Sequence, residues 1–70
     1  MICPRCNQGE IFKVLINKLQ AETFLCDECD AMWFKVIDIG NALFVDFGTY
    51  MISKGLSPTW NEIIVVNNSI

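Results

Sequence analysis

The sequence contains no histidine and no long uninterrupted apolar run. Without histidine the commonest general base is missing, and the eight carboxylates show no arrangement that singles out an acid–base pair. We therefore expect the protein not to be an enzyme. Charged residues interrupt every apolar stretch, so none approaches the roughly 18 to 20 apolar residues of a membrane-spanning helix. No membrane association is expected.

An export signal is also missing from the start of the sequence. The chain begins Met1-Ile2-Cys3, with neither a basic nor an apolar segment before the first cysteine. A cytoplasmic location is therefore expected. In such a reducing compartment, spaced cysteine pairs are more often metal ligands than disulfides.

Four cysteines stand in two close pairs, and they carry the strongest signal in the sequence. Two residues separate the members of each pair, and residues 7–25 separate the pairs. This spacing is typical of paired zinc knuckles, in which four thiolates surround one ion tetrahedrally at about 2.3 Å. We predict one structural Zn²⁺ bound by Cys3, Cys6, Cys26 and Cys29. Disulfides, a redox pair, or iron in the same site are the alternatives.

The length of 70 residues predicts a single domain, whose core is small enough to need such a metal staple. Residues 1–36 are predicted to form a zinc-binding hairpin, with strands over 11–17 and 23–26 and a third extended segment over 32–36. Residues 40–66 are predicted to form a helix and a C-terminal strand over 63–66. The fold class is thus α+β: a zinc ribbon followed by a short helix and a strand.

Apolar residues at spacings of three and four predict the helix. Gly55 is expected to end the helix, with Leu56 making the contact usual at a glycine C-cap. Ser57 and Pro58 are typical of the start of a further helical turn. The predicted apolar face of the helix consists of Leu43, Phe44, Phe47, Met51 and Ile52.

The net charge of −3 indicates what kind of partner the chain could bind. Four thiolates and one Zn²⁺ add −2, giving about −5. Nucleic acid is not the expected partner, because the five basic residues are scattered singly. The expected partner is a basic protein. The 53% hydrophobic content also predicts apolar surface left over for a protein contact, with a partner or in a homodimer.

Five residues are candidates for partner binding. Asp27, Glu28 and Asp30 crowd the second cysteine pair, and they form either an acidic docking patch or a merely solvated loop. Trp33 and Trp60 are either binding hot spots or core residues, and tryptophan is common in both settings.

Two segments resemble known families. The segments Cys3-Pro4-Arg5-Cys6 and Leu25-Cys26-Asp27-Glu28-Cys29-Asp30, with Trp33, resemble the stand-alone zinc ribbons of bacteria. The stretch Gly55-Leu56-Ser57-Pro58-Thr59-Trp60 is similar to the C-terminal part of zinc-ribbon proteins that act as immunity proteins for toxin domains, including those of contact-dependent growth inhibition systems. This resemblance implies a protein that neutralises a basic toxin, often a nuclease, by covering it.

Two other functions remain open on the sequence alone. One is an adaptor in transcription or translation, in which the ribbon contacts a polymerase, a ribosome or nucleic acid. The other is a metallochaperone or metal sensor, which would require an exchangeable metal.

Overall fold

An antiparallel hairpin, β1 (Ile11–Ile16) and β2 (Ala21–Cys26), forms the centre of the protein in the computed structural model, which describes residues 1–41 and 43–67. The hairpin turn follows β1 directly, and Gln20 adopts a positive φ of 52° within it. The Gln20 side chain donates a hydrogen bond of 2.6 Å to the Asn17 carbonyl. The predicted hairpin is confirmed.

Three shorter strands complete a five-stranded sheet in the order β4-β3-β2-β1-β5. The strands are β3 (Ala31–Trp33), β4 (Val45–Asp46) and β5 (Ile63–Asn67). All pairings in the sheet are antiparallel. The predicted C-terminal strand is therefore confirmed, and it lies beside β1. Strand β5 extends to Asn67, one residue beyond the predicted end at residue 66, and residues 68–70 lie outside the described residues.

The two faces of the sheet carry two hydrophobic clusters. On one face, the helix-side cluster joins the sheet to the helix α1 (Phe47–Ser53) through the buried side chains of Phe47 and Met51. It consists of Val14, Ile16, Leu25, Met32, Phe47, Met51 and Ile63. The metal-side cluster consists of Cys3, Ile11, Cys26, Ala31, Trp33 and Ile39. The α+β class predicted from the sequence is thus confirmed, and the cysteines form part of one of its two cores.

The predicted start of the helix is wrong. Helix α1 begins at Phe47, because Asp46 has an extended backbone and its carboxylate accepts a 2.9 Å hydrogen bond from the Thr49 N–H. Leu43 and Phe44 precede the helix, and Leu43 is 95% exposed. Ile52 is 64% exposed, so only Phe47 and Met51 of the predicted apolar face are buried.

The end of the helix matches the prediction, whereas the turn after it does not. Gly55 has a φ of +75°, and the Leu56 N–H donates to the Met51 carbonyl at 2.9 Å. Leu56 then packs on the helix-side cluster, as expected at a glycine C-cap. The next helical turn is a 3-10 segment at Trp60–Glu62 that begins after Thr59, not after Ser57.

No helix among residues 1–41 and 43–67 is long and apolar enough to cross a membrane.

Candidate metal centre

The first cysteine pair lies in a tight loop that precedes β1. The Asn7 N–H donates to the Cys3 carbonyl at 2.9 Å, and Asn7 has a φ of +59°. Two backbone N–H groups point at the sulfurs: that of Arg5 lies 3.4 Å from Cys3 Sγ, and that of Gly9 lies 3.4 Å from Cys6 Sγ. Such donors stabilise thiolates rather than neutral thiols.

The second cysteine pair repeats this arrangement at the end of β2. The N–H groups of Glu28 and Cys29 lie 3.3 and 3.4 Å from Cys26 Sγ. Asp30 then has a φ of +61°, and the chain turns into β3. Both loops therefore direct backbone dipoles at sulfur, as expected of metal-binding knuckles.

Backbone contacts between the two loops hold them against each other. Glu10 and Asp27 exchange two hydrogen bonds: the Asp27 N–H donates to the Glu10 carbonyl at 3.2 Å, and the Glu10 N–H donates to Asp27 Oδ1 at 2.9 Å. Ile11 pairs with Cys26 in the adjoining β1–β2 ladder. The hairpin thus brings together cysteines that are distant in sequence.

Gly9 allows this close approach because it has no side chain. A Cβ at position 9 would lie 2.5 Å from Cys26 Sγ and 2.9 Å from Asp27 Oδ1. Glycine at position 9 therefore leaves the space that the second knuckle occupies.

The four sulfur atoms lie close enough together to surround one ion. Cys3 Sγ lies 3.8 Å from Cys29 Sγ, Cys6 Sγ lies 3.7 Å from Cys26 Sγ, and all four ligand atoms lie within 4.8 Å of one another. Sulfurs at the corners of a tetrahedron with metal–sulfur bonds of about 2.3 Å are about 3.8 Å apart. A disulfide needs about 2.05 Å, and all four cysteines are free thiols. The donor set therefore fits a single metal ion.

The thiols of Cys3, Cys6 and Cys26 have different pKa values because their surroundings differ. Backbone N–H donation from Gly9 and Gln8 lowers the pKa of Cys6 to about 6. Burial raises the pKa of Cys26 to about 12 and also raises that of Cys3. A bound dication would favour all four thiolates, because a coordinating thiol is deprotonated.

Arg5 and Phe44 flank the first knuckle, in an arrangement that the sequence did not indicate. Arg5 Nη1 donates to the Cys29 carbonyl at 3.2 Å, and the guanidinium carbon lies 4.2 Å from the centre of the Phe44 ring. The interaction of the guanidinium with the Cys29 side chain, and then the charges of the nearby thiolates, raise the pKa of Arg5. Phe44 also contacts Trp33 edge-on at 6.4 Å. Arg5 thus places a positive charge beside the four sulfurs.

The acidic candidates for partner binding differ in exposure. Asp27 and Glu28 are exposed at the tip of the second knuckle, whereas Asp30 is half-buried. Burial and the nearby Asp46 carboxylate raise the pKa of Asp30. Asp27 and Glu28 are therefore the acidic groups best placed to meet a partner.

The two tryptophans pack against the cores. Trp33 is 3% exposed within the metal-side cluster and offers almost no surface to a partner. Trp60 is half-buried, lies against the helix-side cluster, and contacts the Phe12 ring edge-on at 5.7 Å. Of the two roles that the sequence left open, Trp33 has that of a core residue. Trp60 is only partly a core residue, because part of it is still exposed.

No protein-family model, curated protein or solved structure matches this chain. Four cysteine sulfurs lie where they could hold one metal ion, and a tetrahedral set of four protein ligands leaves no position for a substrate or an activated water.

Proposed function

We propose that the four cysteines bind one structural Zn²⁺ and that the chain is a non-catalytic binding protein which neutralises a basic toxin domain by covering it. The zinc part is supported by the sulfur separations of 3.7 and 3.8 Å and by the backbone N–H groups directed at the sulfurs. Four soft thiolate donors in a tetrahedral arrangement suit zinc.

The binding part is supported chiefly by the placement of charge. Asp27 and Glu28 are exposed on the second knuckle, and Glu10 lies beside them through its backbone bonds to Asp27. A zinc tetrathiolate beneath them adds about −2. The amino group of Met1, 3.2 Å from Glu10 Oε2, offsets part of this charge, and Arg5 offsets another part. The resulting acidic knuckle suits a basic surface.

In this proposal zinc positions the acidic groups and does not act chemically. Asp27 and Glu28 lie between two zinc ligands, so metal binding fixes the loop that presents them. The toxin would be recognised by charge, and its active site would be occluded sterically. The toxin and immunity roles come from the family resemblance, and the acidic knuckle is the feature of this chain that fits them.

The first test is capture from the native host, with the bound metal measured in the same sample. We expect one equivalent of zinc and a basic protein with a nuclease-like domain. A cognate toxin that kills cells equally well when this chain is present would refute the immunity role. Capture of ribosomal or polymerase subunits would support the adaptor alternative instead.

The second test locates the contact by removing charge. Asp27→Asn together with Glu28→Gln removes two charges, and the amide oxygen at position 27 can still accept the Glu10 N–H. We expect affinity for the captured partner to fall about tenfold and its salt dependence to weaken. Glu22→Gln is the matched control, because Glu22 is exposed on the hairpin and pairs only weakly with Lys13, at 3.7 Å. Equal affinity of the double variant and the control would contradict the role of the acidic knuckle.

A further inference from the structure

Strand β5 lies at an edge of the sheet. It pairs with β1 on one side, and among the described residues no strand pairs with its other side. An edge strand presents backbone N–H and C=O groups that can extend the sheet into another chain. The outer side of β5 is therefore a candidate interaction surface.

Strand β5 lacks the charged and proline residues that often protect such an edge, although the register shift near its end is a β-bulge, which is another such feature. Its sequence, IIVVN, contains no charged residue and no proline. Ile64 and Val65 are 51% and 43% exposed. A register shift opposite Lys13 and Val14 interrupts the ladder near the end of the strand, so the regular part of the edge is the stretch that begins at Ile63.

The charges next to β5 are already paired within the chain. Lys18 Nζ lies 3.5 Å from Glu62 Oε2, just before the strand, and Lys13 Nζ lies 3.7 Å from Glu22 Oε1 on the neighbouring hairpin. A basic partner would find no carboxylate on β5 itself. The acidic knuckle is the better match for such a partner, and β5 is suited to an uncharged strand.

We propose that two copies of the chain pair antiparallel through β5 about a twofold axis. In this arrangement every β5 side chain meets isoleucine, valine or asparagine, so the net charge of −3 on each copy places no like charges opposite each other along the strand. Ile64 lies opposite Leu15 in the existing ladder, and the second copy would extend this apolar row.

The other edge of the sheet explains why the assembly stops at two copies. Strand β4 has only two residues, one of which is Asp46. A head-to-tail contact between β5 and β4 would therefore be short and would place a carboxylate against the apolar strand. Once the two β5 strands are paired, the remaining edges of the ten-stranded sheet are the two β4 strands, which support no further growth.

Sedimentation equilibrium of the metal-loaded chain, from micromolar to millimolar concentration, tests this proposal. The expected result is a rise from the 8.0 kDa of one chain to twice that mass. Ile64→Lys should raise the dimer dissociation constant about tenfold, because it places two like charges at the paired edge. Ile52→Lys is the matched control on the exposed side of α1, and it should leave the dissociation constant unchanged. Equal metal content in the variants confirms that each has folded.

Hydrogen exchange of the unmodified chain gives a second readout that needs no variant. Exchange of the β5 amides should slow as concentration rises, while that of α1 should not change. A monomer at every concentration would overturn the proposal. So would a dimer whose β5 exchange is independent of concentration, or one that Ile64→Lys leaves intact. None of these measurements involves the toxin partner, so failure here and failure of the proposed function are distinguishable.

Discussion

Replacing Gly9 with alanine tests the link between the two knuckles. The added Cβ would lie 2.5 Å from Cys26 Sγ and 2.9 Å from Glu28 Cβ. Ordinary contacts between such atoms are about 3.5 to 4 Å, so the second knuckle would have to retreat by about 1 Å. Distances in a metal site tolerate only about 0.2 Å. The substitution must therefore disturb either the metal geometry or the backbone around it.

The expected cost follows from overpacking of a tightly packed site, at about 1 to 3 kcal/mol. If the whole cost falls on the metal-bound state, zinc affinity drops by about 5- to 150-fold. Competition with a chromogenic chelator measures this change directly, and thermal unfolding with and without zinc shows whether the loss depends on the metal.

Gly48→Ala provides the matched control for this experiment. Gly48 lies within α1, and a Cβ there would meet Asp46 Oδ2 at 3.5 Å and Pro58 Cβ at 3.6 Å, which are ordinary contacts. Alanine favours a helix over glycine by up to about 1 kcal/mol, so this variant should be as stable as the parent or more so. If Gly9→Ala bound zinc as tightly as Gly48→Ala, the zinc site would not depend on the close approach of the two knuckles at position 9.

Three further predictions concern single side chains. After zinc is removed and circular dichroism has verified that the chain is still folded, iodoacetamide at pH 7 should label Cys6 before Cys26, because the pKa values of the two thiols are about 6 and about 12; peptide mapping that found Cys26 labelled as fast would contradict this order. Thr23→Val should stabilise the fold by about 1 kcal/mol in chemical denaturation, because the buried Thr23 hydroxyl has no hydrogen-bond partner among the described residues; a loss of stability would show that the hydroxyl is satisfied. Asp46→Ala should cost about 1 kcal/mol at neutral pH through loss of the helix cap. Donation from Thr49 lowers the pKa of Asp46, so this cap stabilises the fold above the unfolded pKa of about 3.9 and is lost as pH falls through the lower folded value. Denaturation curves of the parent and Asp46→Ala should therefore converge in acid. A difference in stability that persisted in acid would contradict the role of the ionised Asp46 carboxylate as the helix cap.

The metal centre could be predicted from the sequence because its chemistry depends on residue type and spacing. Two C-x2-C pairs joined by a hairpin leave few arrangements other than a common site. The contacts that shape this site could not be predicted from residue type and spacing. Arg5 stacks on Phe44 only because the loop after β3 returns to the first knuckle. The loop packs closely there: a Cβ added at Gly40 would lie 3.1 Å from Pro4 Cγ.

The helix shows the limit of periodicity as a signal. Leu43 and Phe44 fit the spacing of the helical face, but the cap at Asp46 starts the helix after them. Val45 and the cap residue itself form β4, whose two residues are too few to give a recognisable strand pattern. Gly55 was easier to interpret, because a positive φ at a helix end strongly favours glycine.

X-ray absorption at the metal edge of the purified chain, together with its metal content, tests the proposed zinc site directly. We predict one equivalent of zinc with four sulfur ligands at about 2.3 Å. Oxygen or nitrogen ligands in the first shell, or cysteines joined in disulfides with no metal bound, would contradict it.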